Sequence, residues 1–81
     1  MPPGSQAFRV GADEFVLTLD PSRTSAAEQI GWELRSQAPL RISVGVAVGV
    51  AGEAGEAVVL RASAALDEVK RRGADGVAVA R

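Results

Sequence analysis

Two adjacent acids near the start of the chain are the residues best suited to chemistry. Asp13 and Glu14 follow a pair of small residues within the segment Arg9–Phe15. Small residues let the backbone turn tightly and let a ligand approach closely. Carboxylates in such a turn can hold a hard divalent cation, and such a cation commonly carries a triphosphate. Taken alone, however, a Gly-Ala-Asp-Glu turn is more typical of a solvated hairpin.

A strand–turn–strand must position these two acids. The alternating segments Ala7–Val10 and Phe15–Leu19 predict two strands joined by the four residues between them, with the acids at the hairpin tip. Residues 1–6 are rich in Pro, Gly and Ser, which predicts a loose leader. Residues 7–81 then form one small domain.

The rest of the chain predicts two helices and two more strands. A capping box at Ser25 and Glu28 starts a helix over about residues 25–37, which ends before Pro39. Leu40–Val50 alternates between bulky and small residues, which predicts a strand with one bulky face and one small-residue face. A second helix over about residues 56–72 is followed by Gly73 as its cap and by a short strand at Val77–Ala80. The predicted order is β-β-α-β-α-β.

Two large apolar residues lie outside the core stripes of these helices. The stripes are Ala27, Ile30, Leu34 and Ala38 in the first helix and Val58, Ala62, Ala65, Leu66 and Val69 in the second. Trp32 and Leu60 point elsewhere. They are either isolated surface residues, which are common, or parts of an interface, where Trp is enriched.

Composition excludes several classes of function. The net charge is −1, so the chain lacks the basic surface of a nucleic-acid-binding protein. There is no Cys and no His, which removes disulfides, thiolate zinc sites, cysteine nucleophiles and Ser-His catalysis. Any metal must be held by oxygen, as Mg²⁺, Mn²⁺ and Ca²⁺ are. No apolar run is long enough for a membrane span and the N-terminus lacks a signal-peptide pattern, so we expect a cytoplasmic protein without membrane contact.

Three sequence blocks resemble one family. Arg-Val-Gly-Ala-Asp-Glu-Phe at 9–15 resembles the Arg-x-Gly-Gly-Asp-Glu-Phe signature of GGDEF domains, the diguanylate cyclase family. Ser-Val-Gly-Val-Ala at 43–47 resembles the family's Ser-(Ile/Val)-Gly-(Ile/Val)-Ala strand. Residues 62–73 resemble its Ala-Asp-x-Ala-Leu-Tyr-x-Ala-Lys-x-x-Gly helix end. The resemblance implies an α+β fold like the C-terminal half of a GGDEF palm (ferredoxin-like), with an antiparallel-rich sheet and both helices on one face.

The resemblance also implies roles for five residues. Asp13 corresponds to the acid that holds Mg²⁺ or Mn²⁺, and Glu14 to its neighbour in the metal and GTP site. Gly11 and Ala12 correspond to the glycines that lie close to the substrate. Lys70 corresponds to the lysine that contacts the GTP phosphates.

The chain departs from the family pattern at several of these positions. Ala12 replaces a Gly, and its Cβ should restrict positive φ and crowd a ligand. Ala74 replaces the phosphate-contacting Arg that follows Gly73, and Asp75 replaces the next Asn. A bidentate cation is lost and an anion is gained, which disfavours a bound triphosphate. Further changes are Ser63, Asp67 and Val69. The family's inhibitory Arg-x-x-Asp motif corresponds to Pro2 and Ser5, so we expect no inhibitory cyclic di-GMP site of that type.

The family's N-terminal half, with a strand in the middle of the sheet that carries a second metal-binding Asp, has no counterpart among the seven residues before Phe8. We expect its loss to leave either a rearranged sheet or an open edge, and open edges invite pairing with another chain.

These observations lead to three functional hypotheses. The first is a truncated, degenerate GGDEF-like module in bacterial cyclic di-GMP signalling, without cyclase activity of its own. It would self-associate or dock to a partner protein through the vacated strand position. The second is the C-terminal piece of a diguanylate cyclase that needs the missing half. The third is a GTP-binding sensor. We expect no cofactor for the chain alone, Mg²⁺ or Mn²⁺ if the site is completed, and at most weak GTP binding.

Overall fold

The computed structural model describes residues 5–37 and 41–80. The elements are β1 (Gln6–Gly11), β2 (Glu14–Leu19), a 3₁₀ helix (Pro21–Ala26), α1 (Ala27–Gln37), β3 (Ser43–Val48), α2 (Gly55–Arg71) and β4 (Gly76–Val79). The predicted α+β class and element order are confirmed. The predicted leader is shorter than expected, because Gln6 already belongs to β1; residues 1–4 lie outside the described residues, as do Ala38, Pro39 and Leu40. No helix in the described segments has the length and hydrophobicity to cross a bilayer.

The sheet is mixed rather than antiparallel-rich. Its strand order is β1-β2-β3-β4. The hairpin strands β1 and β2 are antiparallel, whereas β2 pairs with β3 in parallel and β3 pairs with β4 in parallel. Each helix carries the chain back along the sheet, so β3 and β4 start at the same edge as β2.

The two helices pack on opposite faces of the sheet, which corrects the prediction that they share one. Leu17 packs in a cluster with Ile30 of α1, whereas its neighbour Val16 packs in a cluster with Leu66 of α2. Adjacent strand residues point to opposite faces, so each helix covers its own face. The two crossover connections, β2–α1–β3 and β3–α2–β4, both move one strand in the same direction across the sheet, but their helices lie on opposite faces. Their handedness is therefore opposite. One of them is therefore left-handed, which is rare.

The small-residue face of β3 explains the position of α2. A Cβ at Gly45 would lie 2.2 Å from the carbonyl O of Ala62 and 2.6 Å from the backbone N of Leu66. The helix backbone thus lies directly against the strand. A face that the sequence offered as the small side of a strand is in fact a close helix contact, and Ala47 on the same face is fully buried.

The middle of the sheet is closed. The β2–β3 ladder runs without interruption from the Glu14–Ser43 pair to the Leu19–Val48 pair. The Ser43 N–H also donates to the carbonyl O of Asp13 at 2.9 Å. Because β2 pairs directly with β3, the expected open edge is not found at that position within the described residues. Rearrangement relative to a GGDEF sheet stays a prediction. Among residues 5–37 and 41–80, the strands at the two sides of the sheet are β1 and β4.

The ends of the helices differ in how well the sequence predicted them. The α-helix α1 begins at Ala27 after the 3₁₀ helix, so Ser25 does not occupy the predicted capping position. Asp20 instead accepts a hydrogen bond from the Ser22 N–H at 2.9 Å. The predicted Gly73 cap of α2 is confirmed. Its φ is +113°, its N–H donates to the Lys70 carbonyl, and the Ala74 N–H donates to the Val69 carbonyl, which is a Schellman motif.

Candidate functional site: the hairpin edge

One edge of the sheet collects most of the residues that the sequence singled out. The three parallel strands β2, β3 and β4 start at this edge, and both helices end there because they run opposite to the strands. We call this end of the strands the hairpin edge; it is distinct from the edge strands β1 and β4 at the sides of the sheet. It comprises the hairpin tip 11–14, Ser43, Lys70 and Asp75.

The hairpin tip is a two-residue turn. Gly11 pairs with Glu14, and the register shifts between Arg9 and Gly11, as it does at a β-bulge. Among the described non-glycine residues, positive φ occurs only at Ala74 and Asp75. Ala12 thus takes no positive φ, in keeping with the restriction expected from its Cβ; crowding of a ligand stays a prediction.

Arg9 holds the tip in shape. Its Nε donates to the Gly11 carbonyl at 3.1 Å and its NH2 group to the Ala12 carbonyl at 2.9 Å. Sequence reasoning assigned this side chain no role. The available signal was the Arg that stands two positions before the glycine in the family signature.

Glu14 and Lys70 meet at the hairpin edge. The Lys70 Nζ lies 3.3 Å from Glu14 Oε2 and 3.8 Å from Asp67 Oδ1. A Cβ at Gly11 would lie 2.6 Å from Glu14 Oε1, so the glycine leaves room for this carboxylate. The structure thus brings together two residues that the resemblance places in one site. Here the lysine forms an ion pair with the carboxylate.

Asp13 is exposed beside this pair. Within residues 5–37 and 41–80, no three or more acidic, His or Cys side chains are grouped so that they could hold a metal ion. Hard cations take six or more oxygen ligands, and a site built on one or two carboxylates must fill the remainder with water or substrate oxygens. With Glu14 already paired to Lys70, the residues present do not fit a resident Mg²⁺ or Mn²⁺ ion.

Asp75 does not place an uncompensated anion at this edge. Arg35 Nε donates to Asp75 Oδ1 at 2.9 Å, and Arg41 Nε lies 3.8 Å from Oδ2. The Asp75 N–H donates to the Ser43 Oγ at 3.0 Å. The Arg35 guanidinium lies over the ring of Trp32, with its Cζ 5.4 Å from the ring centre. The charge of Asp75 is therefore offset within the fold. The φ of Asp75 is +121°, a conformation unusual for a residue with a side chain.

At the other end of the strands, where β3 ends, a separate ion pair holds the chain. Arg61 donates to both carboxylate oxygens of Glu53, at 2.8 and 2.9 Å, and also to the Val48 carbonyl. The Val50 N–H donates to Glu53 at 3.0 Å. The hydrogen bond from Arg61, followed by that from Val50, lowers the pKa of Glu53 below its ordinary value. This pair fixes the loop before α2.

The two interface candidates lie on opposite faces of the sheet. Trp32 on α1 is 43% exposed and Leu60 on α2 is 70% exposed, so they do not form one surface. Leu60 belongs instead to an open, mainly apolar groove of about 830 Å³. We call it the β1–α2 groove; it is lined by Phe8, Thr18, Leu19, Gly49, Val59 and Leu60. It exists because α2 covers β2, β3 and β4 but leaves β1 uncovered.

Comparison with known proteins found no matching family model, no matching curated protein and no matching solved structure. The GGDEF resemblance therefore rests on the three sequence blocks.

Proposed function

We propose that this chain is a degenerate GGDEF-like module that associates with another polypeptide in cyclic di-GMP-type signalling and has no cyclase activity by itself. The three sequence blocks support the family. They fall on the hairpin, on β3 and on the end of α2, the element types that the resemblance implies.

The uncovered strand β1 is the observation that carries the association. Residues 6–10 of β1 are exposed throughout, and the strand has no neighbour on its outer side within the described part of the chain. Phe8, 40% exposed, and Leu60 lie together beside this edge. A second copy or a partner protein that paired with β1 would satisfy its backbone groups and cover these apolar side chains. The association site is thus β1, in place of the expected position in the middle of the sheet.

Sedimentation of two matched variants tests this surface. Leu60→Gln removes apolar area from the β1–α2 groove, whereas Val50→Gln removes it from a similarly exposed position that does not line the groove. We expect Leu60→Gln to shift the distribution towards the monomer and Val50→Gln to leave it unchanged. Equal behaviour of the two variants would contradict the proposed surface.

The pairing of Glu14 with Lys70 supports the absence of cyclase activity. Two-metal phosphoryl transfer needs ligands that hold both ions. Among the described residues no three acidic side chains are grouped to hold a metal ion, and Glu14 is paired with Lys70. Ala74 leaves the position of the phosphate-binding Arg without a cation. Incubation of the purified chain with GTP and Mg²⁺ should therefore yield no cyclic di-GMP, and sustained product formation would refute this part of the proposal.

A second candidate function is one part of a split diguanylate cyclase. It is favoured by the meeting of Glu14 and Lys70 next to Asp13 at one edge. Co-expression with an N-terminal GGDEF half tests it. Under this function the pair makes cyclic di-GMP and Asp13→Ala abolishes production. An inactive pair rejects this candidate and leaves the first one standing.

A further inference from the structure

The edge strand β4, on the other side of the sheet from β1, offers a second set of backbone hydrogen-bonding groups. The Gly76 N–H donates to the Ile42 carbonyl at 3.2 Å, and the Ala80 N–H donates to the Val46 carbonyl at 2.7 Å. Alternate residues of a strand face alternate sides, so the N–H and C=O groups of Val77 and Val79 face away from β3. β4 therefore presents two outward donors and two outward acceptors.

This edge lies at the bottom of a groove. The helices pack on opposite faces of the sheet, and their side chains rise on either side of β4. The resulting groove of about 750 Å³ is lined by residues 77–80, by Glu28 of α1, and by Glu68 and Arg72 near the end of α2. We call it the β4 groove. In contrast to the β1–α2 groove, its lining is mainly polar.

Arg72 shows that an outward acceptor of β4 is within reach of a donor. One of its guanidinium nitrogens donates to the Val77 carbonyl at 3.3 Å. This bond is long and is made by an exposed side chain. An incoming backbone N–H can replace it without leaving a buried charge, because the guanidinium can turn into solvent.

We infer that the β4 groove binds an extended basic peptide segment by adding it as a fifth strand. Backbone bonds to Val77 and Val79 supply the pairing, as in other complexes formed by strand addition. The two carboxylates, Glu28 and Glu68, stand on opposite walls and outweigh the single Arg72. A strand that carries Lys or Arg side chains on both faces therefore complements the walls.

A short synthetic peptide tests this site directly. The probe is a blocked six-residue peptide of sequence Val-Lys-Lys-Val-Lys-Lys, which carries lysines on both faces of a strand. It is titrated into the full chain while amide resonances are followed. The Val77 and Val79 amides should shift in a saturable manner. N-methylation of the alternate residues whose backbone N–H groups point towards β4 should prevent binding. N-methylation of the other residues, whose N–H groups point away, should be tolerated. No saturable shift, or identical binding of both methylated peptides, would overturn the inference.

Two pairs of variants separate this groove from a general charge effect. Glu28→Gln with Glu68→Gln removes both wall charges, and Glu33→Gln with Glu56→Gln removes two exposed charges that do not line the groove. The first pair should weaken binding by about 3- to 10-fold, as expected for two exposed ion pairs. The second should leave binding nearly unchanged. Equal weakening in both would overturn the inference.

Discussion

The ammonium of Lys70 lies 3.3 Å from the carboxylate of Glu14, so the end of α2 is joined to the tip of the hairpin. The resemblance assigns these two residues to one nucleotide site, where the acid would serve the metal and the lysine the phosphates. In this chain the two side chains form an ion pair with each other.

Lys70→Gln should strengthen the binding of a divalent cation at the hairpin tip. Without the lysine, Glu14 and Asp13 face an added Mn²⁺ ion without a competing positive charge. The enhancement of water relaxation by bound Mn²⁺ measures the change, for which we expect a several-fold gain in affinity. Arg71→Gln is the matched control, because it removes an exposed positive charge one residue away. An equal gain in both variants would mean that net charge alone is responsible.

Gly45→Ala should destabilise the fold. Its Cβ would meet the backbone of α2 at 2.2 Å, and backbone cannot move aside as a flexible side chain can. We expect a loss of about 3 kcal/mol or more in the free energy of unfolding, measured with urea. Gly55→Ala is the control, since a Cβ there meets nothing within 4 Å. A harmless Gly45→Ala would contradict the packing of α2 on this face of the sheet.

Asp75→Asn should reduce stability by about 1 kcal/mol, because it removes the charge that Arg35 and Arg41 share. Asn tolerates positive φ about as well as Asp, so the strained backbone is not a confounding change. The loss should shrink at high salt. Asp67→Asn removes a more exposed carboxylate and should have a smaller effect. A salt-independent loss at Asp75 would point to the backbone instead of the ion pair.

The stabilising effect of Glu53 should depend on pH. Folding lowers the pKa of this carboxyl from an ordinary value of 4.5, so its stabilisation is fully present above that value. The stabilisation is lost as the pH falls through the lower pKa of the folded state. Glu53→Gln should therefore unfold more easily than the parent near neutral pH, and the difference should vanish in acid. Arg61→Gln should reproduce the loss near neutral pH. A difference that stayed constant in acid would contradict the role of the Arg61 hydrogen bond.

The sequence predicted the elements better than their arrangement. The stripe of α2 and the Gly73 cap were readable because helical spacing and a terminal glycine depend only on local geometry. Strand pairing depends on distant partners, so the parallel contact between β2 and β3 could not be read from either segment. Gly45 and Ala47 suggested a small-residue face, but whether solvent or a helix covers such a face is decided by the crossover of α2.

The candidate site was predicted in part. The block resemblance placed Gly11, Glu14 and Lys70 together, and the structure brings all three to one edge. The resemblance did not predict that Arg9 would donate hydrogen bonds to the turn carbonyls. Nor did it predict that Asp75 would pair with Arg35, forty positions earlier in the chain. Such ion pairs join segments whose spatial proximity is set by the sheet order, and the spacing within either segment carries no sign of them.

Molar mass in solution tests the central claim most directly. The chain has a mass of 8.3 kDa, and light scattering over a range of concentrations reports whether copies associate. If the exposed β1 strand and the β1–α2 groove are an association surface between copies, the mass should rise towards a multiple of 8.3 kDa with concentration, and Leu60→Gln should reduce that rise. A mass of 8.3 kDa at every concentration, for the parent chain as for Leu60→Gln, would contradict it.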